Sequence, residues 1–228
     1  MAAPPVLLLH GFATSAARTW GDNGWLDLLA DAEREVLAPD LPGHGQAAKS
    51  HDPEAYADLP GWLLTQLPDE RVDAIGFSMG AMTLLRAAAQ APERFHRIVV
   101  AGVGRNVFED DVEHGRAIRE AIAGNADPEN PEAMHFSDLA ASPEVDRDAL
   151  LAVLSGRGDR ITPEALATLT LPVLVVLGDR DFAGPPDPLV AALPDAQLRT
   201  LRGVDHFATP KDFGFIDAAL EFLGAVPV

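Results

Sequence analysis

The sequence predicts an α/β fold, a mostly parallel sheet of about six strands with helices on both faces and a small helical insertion. Three observations predict it. Short apolar runs alternate with helical stretches along the chain, the order that parallel strands joined by helical crossovers require. Most of these runs are continuous in Val, Leu and Ile rather than alternating, as expected of strands covered on both faces. One long interval, 105–165, breaks the rhythm and contains no convincing strand.

In chain order the strand candidates are Val6–His10, Val36–Pro39, Val72–Gly76, Ile98–Ala101, Val173–Leu177 and Gln197–Leu201. The helix candidates between them are Gly24–Ala32, Glu54–Leu67, Met79–Ala91, Asp187–Leu193 and Lys211–Gly224. The apolar run Val6–Leu9 lacks a basic flank and leads directly into His10-Gly11. It is too short for a secretory leader or a membrane span. It is read as the first buried strand, and the protein is expected to be cytoplasmic without membrane insertion. The interval 105–165 holds fourteen acidic and six basic residues, a net of −8. Insertions of this length between sheet strands usually carry function. It is read as a helical lid on a core formed by 1–104 and 166–228.

The whole chain of 228 residues carries 17 basic and 35 acidic side chains, a net of −18. That balance argues against nucleic acid or an anionic membrane as a partner, since both need basic patches. The chain has no cysteine, which excludes disulfides and cysteine-ligated metals. No histidine pair or carboxylate cluster has metal-ligand spacing on one element, so neither a catalytic metal nor a cofactor is expected.

The chemistry-bearing motifs lie at the predicted strand ends. Gly76-Phe77-Ser78-Met79-Gly80 fits the G-x-S-x-G nucleophile elbow. The bare pattern recurs by chance, but here a buried strand precedes it and a helix-forming run follows, the context the motif requires. A serine on so sharp a turn projects its hydroxyl from the sheet edge, and the two glycines leave room for the turn. His10-Gly11-Phe12 ends the first strand. An oxyanion needs two backbone N–H donors; Met79 and Phe12 are the candidates, while His10 is read as a structural histidine bonding the loop. Asp40-Leu41-Pro42-Gly43-His44-Gly45 is a rigid turn in which Asp40 ties the backbone. His44 is read as structural in preference to lining the pocket.

His206, in Gly203-Val204-Asp205-His206-Phe207, follows both the serine and a carboxylate loop, the order expected of an elbow serine on such a sheet. Its ordinary pKa near 6.5 suits a general base at neutral pH. The carboxylate loop is Gly178-Asp179-Arg180-Asp181. Asp181 is preferred as the partner of His206, with Asp179 left to pair with Arg180 or solvent.

With these segments in place the chain resembles the α/β-hydrolase superfamily, and within it the lidded branch of serine esterases, lactonases and C–C hydrolases. The resemblance rests on V-L-L-L-H-G-F, D-L-P-G-H-G, G-F-S-M-G, P-V-L-V-V-L-G-D-R-D and G-V-D-H-F. It implies Ser78, Asp181 and His206 as a catalytic triad with Phe12 and Met79 as oxyanion donors. It also implies an acyl-enzyme on Ser78, whereas dehalogenases and epoxide hydrolases of the family carry aspartate there. The sequence departs from the family in starting almost on the V-L-L-L-H-G strand, where two further strands usually come first. That implies a sheet reduced to about six strands or a shortened chain.

The resulting expectation is hydrolysis of carboxylic esters of small to medium, uncharged, small-molecule substrates. The lid's net charge and the absence of an arginine just after the elbow serine, where the stretch is Gly80-Ala81-Met82-Thr83, weigh against strongly anionic ones. The pocket is expected to be largely apolar, drawing on Phe12, Phe77, Met79, Phe182 and Phe207 near the catalytic positions and on Phe108, Met134 and Phe136 from the lid. C–C bond hydrolysis or enol-lactone opening by the same triad is one alternative. A non-catalytic ligand-binding protein is another, although no triad residue is missing. The sequence leaves the oligomeric state open.

Overall fold

The structure, a computed structural model, describes residues 3–227 apart from 157 and 159. Six strands, β1 (Val6–Leu9), β2 (Val36–Leu37), β3 (Val72–Phe77), β4 (Phe95–Ala101), β5 (Val173–Gly178) and β6 (Ala196–Leu201), form one sheet in the order β2-β1-β3-β4-β5-β6. Every pair is parallel.

Strand periodicity divides the apolar residues between two cores. Leu7, Leu9, Ala74, Ile98 and Val100 face the side covered by α2 (Leu59–Gln66) and α3 (Met79–Gln90). Val6, Leu8, Ile75, Phe77 and Val99 face the side covered by α1 (Trp25–Asp31) and α9 (Phe213–Leu223). The continuous apolar runs are therefore the direct consequence of burial on both faces, each full Leu or Val contributing about 1.5–3 kcal/mol. Polar residues at the base of the sheet are paired. Asp73, buried on β3, accepts from Arg34 Nη2 at 2.5 Å, and Arg34 also donates to the carbonyls of Pro4 and Leu223.

The expected helices form with two shifts. Glu54–Leu67 is divided into a 3₁₀ turn, Pro53–Tyr56, and the helix α2. Asp58 restarts the helix by accepting from Gly61 N at 2.8 Å, and Pro60 is tolerated in its first turn because no intrahelical donor is needed there. Likewise α9 starts at Phe213, where Asp212 accepts from the Gly214 and Phe215 amides, leaving Lys211 in the preceding 3₁₀ turn. The helix α8 (Asp187–Ala192) joins β5 to β6.

Between β4 and β5 lie four helices, α4 (Val112–Ile122), α5 (Pro131–Ala140), α6 (Arg147–Ser155) and α7 (Pro163–Leu166). Each is started by its own capping side chain, Asp111, Asn130, Asp146 or Thr162, worth about 1 kcal/mol apiece. Ile122, Phe136, Leu150 and Val153 of this segment join the core on the α2–α3 side of the sheet. Among the described residues, no helix is long and apolar enough to cross a membrane.

Candidate active site

The turn from β3 into α3 holds Ser78 at φ 52° and ψ −113°, left-handed backbone that a residue with a side chain rarely adopts. Its amide donates to Ala101 O at 2.8 Å, which ties the turn to the end of β4. The neighbouring glycines are required by close approach. A Cβ on Gly76 would lie 2.7 Å from Ala81 Cα, and one on Gly80 would collide with the Leu9 carbonyl.

The loops after β5 and β6 are zipped together. Asp179 N donates to Leu201 O at 2.9 Å and Arg180 N to Val204 O at 3.1 Å. The Asp179 carboxylate accepts from Gly203 N at 2.7 Å. Asp179 therefore fastens the histidine loop, a role different from the pairing with Arg180 or solvent expected from sequence. This clasp places Asp181 opposite His206: Oδ1 and Oδ2 accept from His206 Nδ1 at 2.9 and 3.0 Å. Asp181 Oδ1 also accepts from Ala183 N at 2.9 Å.

Because a carboxylate can only accept, Nδ1 carries the proton, and Nε2 of the neutral ring is left to accept from Ser78 Oγ at 3.0 Å. Both Asp181 and His206 are buried, while Ser78 is half-buried. The imidazole lies between two rings, Phe77 at 4.9 Å and Phe182 at 4.2 Å. The arrangement can pass a proton from the serine hydroxyl to the histidine and stabilise the resulting positive charge.

Phe12 lines the same cavity as Ser78, and Met79 follows the serine in the chain. Met79 is the first residue of α3, where N–H groups lack intrahelical acceptors, and Phe12 lies in the turn after β1. Beneath that turn, His10 Nε2 accepts from Leu41 N at 2.9 Å and its Nδ1–H donates to Gly11 O at 2.7 Å. Burial holds His10 below its ordinary pKa of 6.5, in keeping with the accepting nitrogen. His44 is buried beside it, edge-on to Phe12 at 5.6 Å, and donates to Pro42 O at 3.0 Å. Burial first, and then the neighbouring His10, push its pKa down to about 3. Asp40 accepts from Ala16 N at 2.8 Å and Gln46 N at 2.7 Å, tying both adjoining loops.

Ser78 and His206 open into a cavity of about 130 Å³. Phe12, Phe77 and Phe207 line it from the body, and His135, Phe136 and Leu139 line it from one face of α5. Four residues expected in the wall are elsewhere. Met79 packs into the core on the α2–α3 side of the sheet. Phe182 lies under the His206 ring, Met134 points to solvent one position round the helix from His135, and Phe108 packs on the core. The wall also contains polar residues that no sequence motif pointed to: Thr14, Arg18, Thr19, Asn23 and Lys211. The first four come from the segment after β1, which coils through a π-helical turn at Ala17–Gly21 and returns to the serine. The body side of the wall is therefore mixed, with these polar residues beside Phe12, Phe77 and Phe207.

His135 is stacked on Phe207 at 3.7 Å, and its pKa is lowered, chiefly by burial. The one group of described residues with ligand atoms converging as a metal would need is His51, Asp146 and Asp148. His51 Nε2 is already bonded to Asp146 at 3.0 Å, and His51 and Asp148 border a surface hollow separate from Ser78.

Comparison with known proteins accords with this geometry. Residues 4–142 match the family described as "alpha/beta hydrolase fold". A 2-hydroxy-6-oxononadienedioate/2-hydroxy-6-oxononatrienedioate hydrolase of a Pseudomonas species is 25% identical, over 89% of this chain and 81% of its own. A pimeloyl-[acyl-carrier protein] methyl ester esterase of Vibrio campbellii is 25% identical, over 78% of this chain and 76% of its own. Among solved structures, a 2-hydroxy-6-oxo-6-phenylhexa-2,4-dienoate hydrolase of Rhodococcus sp. strain RHA1 superposes with a TM-score of 0.72 at 25% identity, covering 97% of this chain and 90% of that one. The chain belongs to the α/β-hydrolase family.

Proposed function

We propose that this member of the α/β-hydrolase family is a serine hydrolase that cleaves small carboxylic esters through an acyl-enzyme on Ser78. The observation that carries the reading is the continuous chain of hydrogen bonds from Ser78 Oγ through His206 to Asp181, at 3.0 and 2.9 Å. In this mechanism His206 Nε2 takes the hydroxyl proton as Oγ attacks the carbonyl carbon. The Phe12 and Met79 amides hold the oxyanion, and His206 returns the proton to the leaving alcohol. Water, deprotonated by the same histidine, attacks the acyl-enzyme and releases the acid. Asp181 orients the imidazole and stabilises its charged form without taking the proton.

The segment 105–165 acts as the lid, since His135, Phe136 and Leu139 of α5 supply the cavity wall across from Ser78. The part of the substrate that lies against Phe12, Phe136, Leu139 and Phe207 is uncharged and apolar. The small cavity, about 130 Å³, favours a short group at that end.

Short para-nitrophenyl esters and a fluorophosphonate probe test this reading. Turnover and Ser78 labelling are expected in the parent, with kcat falling about a millionfold, to background, in Ser78→Ala. Equal turnover by the variant would overturn the mechanism. A second reading, C–C bond hydrolysis by the same residues, is favoured by the names of the Pseudomonas and Rhodococcus relatives. A panel pairing esters with vinylogous 1,5-diketones separates the two by relative kcat/KM.

A further inference from the structure

The charge of the cavity wall is opposite to that of the protein. The chain has 35 acidic against 17 basic residues and only two lysines. The wall around Ser78 nevertheless includes Arg18 and Lys211 and, among the described residues, not one carboxylate. Lys211 is uncommitted, and Arg18 is committed through one nitrogen alone. Lys211 is exposed, and its ammonium makes no hydrogen bond or ion pair among the described residues. The other lysine, Lys49, is bonded to the Gly45 carbonyl.

Arg18 uses Nη1 to reach Ser142 Oγ at 2.7 Å and Glu144 Oε1 at 3.3 Å, both in the connection between α5 and α6. Its Nε and Nη2 donors have no hydrogen-bond partner among the described residues. The Arg18–Glu144 pair is 40% and 46% exposed, the kind of surface pair that contributes about 0–1 kcal/mol, so it offers little resistance to an arriving carboxylate. Asn23 holds the π-helical turn that presents Arg18, donating to Arg18 O at 3.3 Å and Thr19 O at 2.9 Å.

We propose that Arg18 and Lys211 form an anion subsite, so that the preferred substrate is an ester carrying a carboxylate at the end remote from the apolar wall. This rests on the ester-hydrolase reading and deepens it. Both cations border one cavity of about 130 Å³ that also contains Ser78, which puts them within reach of a single small substrate. The protein's overall negative field does not oppose this at short range. Charges beyond about 8–10 Å are screened at physiological salt, whereas a guanidinium or ammonium in direct contact donates charge-assisted hydrogen bonds. Glu144, on the lid side of Arg18, acts as the resident carboxylate that the substrate joins or displaces.

Two isosteric substrate pairs test the subsite on either side of the scissile bond. One is monomethyl glutarate against the methyl ester of glutaric acid monoamide; the other is para-acetoxybenzoate against para-acetoxybenzamide. In at least one pair, kcat/KM for the carboxylate is expected to exceed that for the amide by about tenfold, the effect of one hydrogen bond to a charged group. The ratio falls toward one in Arg18→Gln and in Lys211→Gln, and falls with added salt. A change in lid packing alone would move both members of a pair together and leave the ratio intact. Ratios at or below one in both pairs, or ratios unchanged in both variants, overturn the subsite.

Fluorophosphonate labelling and calorimetric titration of glutarate into Ser78→Ala separate the two layers of the argument. Labelling without a carboxylate preference overturns the subsite alone. Glutarate binding that weakens in the Arg18→Gln background, with no labelling of Ser78, overturns the ester mechanism and sustains the subsite.

Discussion

The sheet edge that carries Ser78 and the helical segment that covers it are held by different kinds of contact. At the edge, the polar groups are buried and bonded: Asp181 to His206 and Ala183, His10 to Leu41. The segment 105–165 has an apolar underside, yet two side-chain ion pairs that tie it to the body, Arg18 to Glu144 and His51 to Asp146, are exposed. Buried, satisfied hydrogen bonds fix geometry and are expensive to leave unmade, while exposed ion pairs break at little cost. Under the proposed mechanism the difference would place preorganised chemistry at the sheet edge and adjustable substrate selection in the helices. A mutation at the edge should lower kcat; one in the helices should act on KM and on the choice of substrate.

The largest expected effect tests the rigid side. Asp181→Asn keeps the shape but removes the group that dictates which imidazole nitrogen carries the proton, and kcat is expected to fall about 10⁴-fold. Steady-state kinetics on a para-nitrophenyl ester read the loss, and a drop confined to KM would break the contrast.

Next in size is the pH response of the buried histidines. His44 has an ordinary pKa of 6.5 and is pushed down to about 3 in the fold. Between those values the unfolded chain binds a proton that the folded chain refuses, so stability falls as pH falls below about 6.5. Urea midpoints measured across that window should decline in the parent, and the decline should be shallower in His44→Gln. A parallel slope in the variant would locate the acid sensitivity elsewhere.

A smaller effect is expected on the helical side. Phe136→Ala removes an apolar side chain from the wall opposite Ser78, and KM for an acyl chain that reaches it should rise about tenfold with kcat less affected. Comparing acetate with hexanoate esters checks this, since only the longer chain should be penalised.

The smallest is the His51–Asp146 contact, which titrates with the opposite sign to His44. Hydrogen bonding to Asp146 raises His51 above 6.5, and the same bond lowers Asp146 below 3.8. The stabilisation from His51 is present below 6.5 and lost as pH rises through its raised value; that from Asp146 is lost only as pH falls through its lowered one. Protection factors of the α6 amides, exchange rates corrected for intrinsic base catalysis, should therefore fall from mildly acidic to alkaline pH, and His51→Ala should flatten that fall while leaving ester turnover unchanged.

The same division explains what could be read from the sequence. The elbow was legible because strand, serine, glycines and helix are contiguous, and Asp181 and His206 because each sits just past a recognisable strand. The central strands β1, β3, β4 and β5 announced themselves through burial on both faces, whereas the edge strands β2 and β6 are largely unburied. Arg18, Asn23 and Lys211 were illegible. They reach the cavity through a coil after β1 and through the turn before α9, and no local periodicity encodes where such segments end. One signal was present in the composition: a lysine is rare in this chain, and one of the two lies five residues after His206. The break inside Glu54–Leu67 was also written locally, in the Asp58-Leu59-Pro60 start signal.

The left-handed backbone at Ser78 has a consequence for anyone who selects variants of this protein. Such a conformation costs of the order of 1–3 kcal/mol in a residue with a side chain, and glycine adopts it freely. The residue on which turnover is proposed to depend is thus a point where the fold would be sturdier without it. A screen that rewards heat resistance alone should drift toward Ser78→Gly and yield a robust, inert protein, whereas a screen that demands turnover as well would keep the weak point and accumulate its compensations elsewhere.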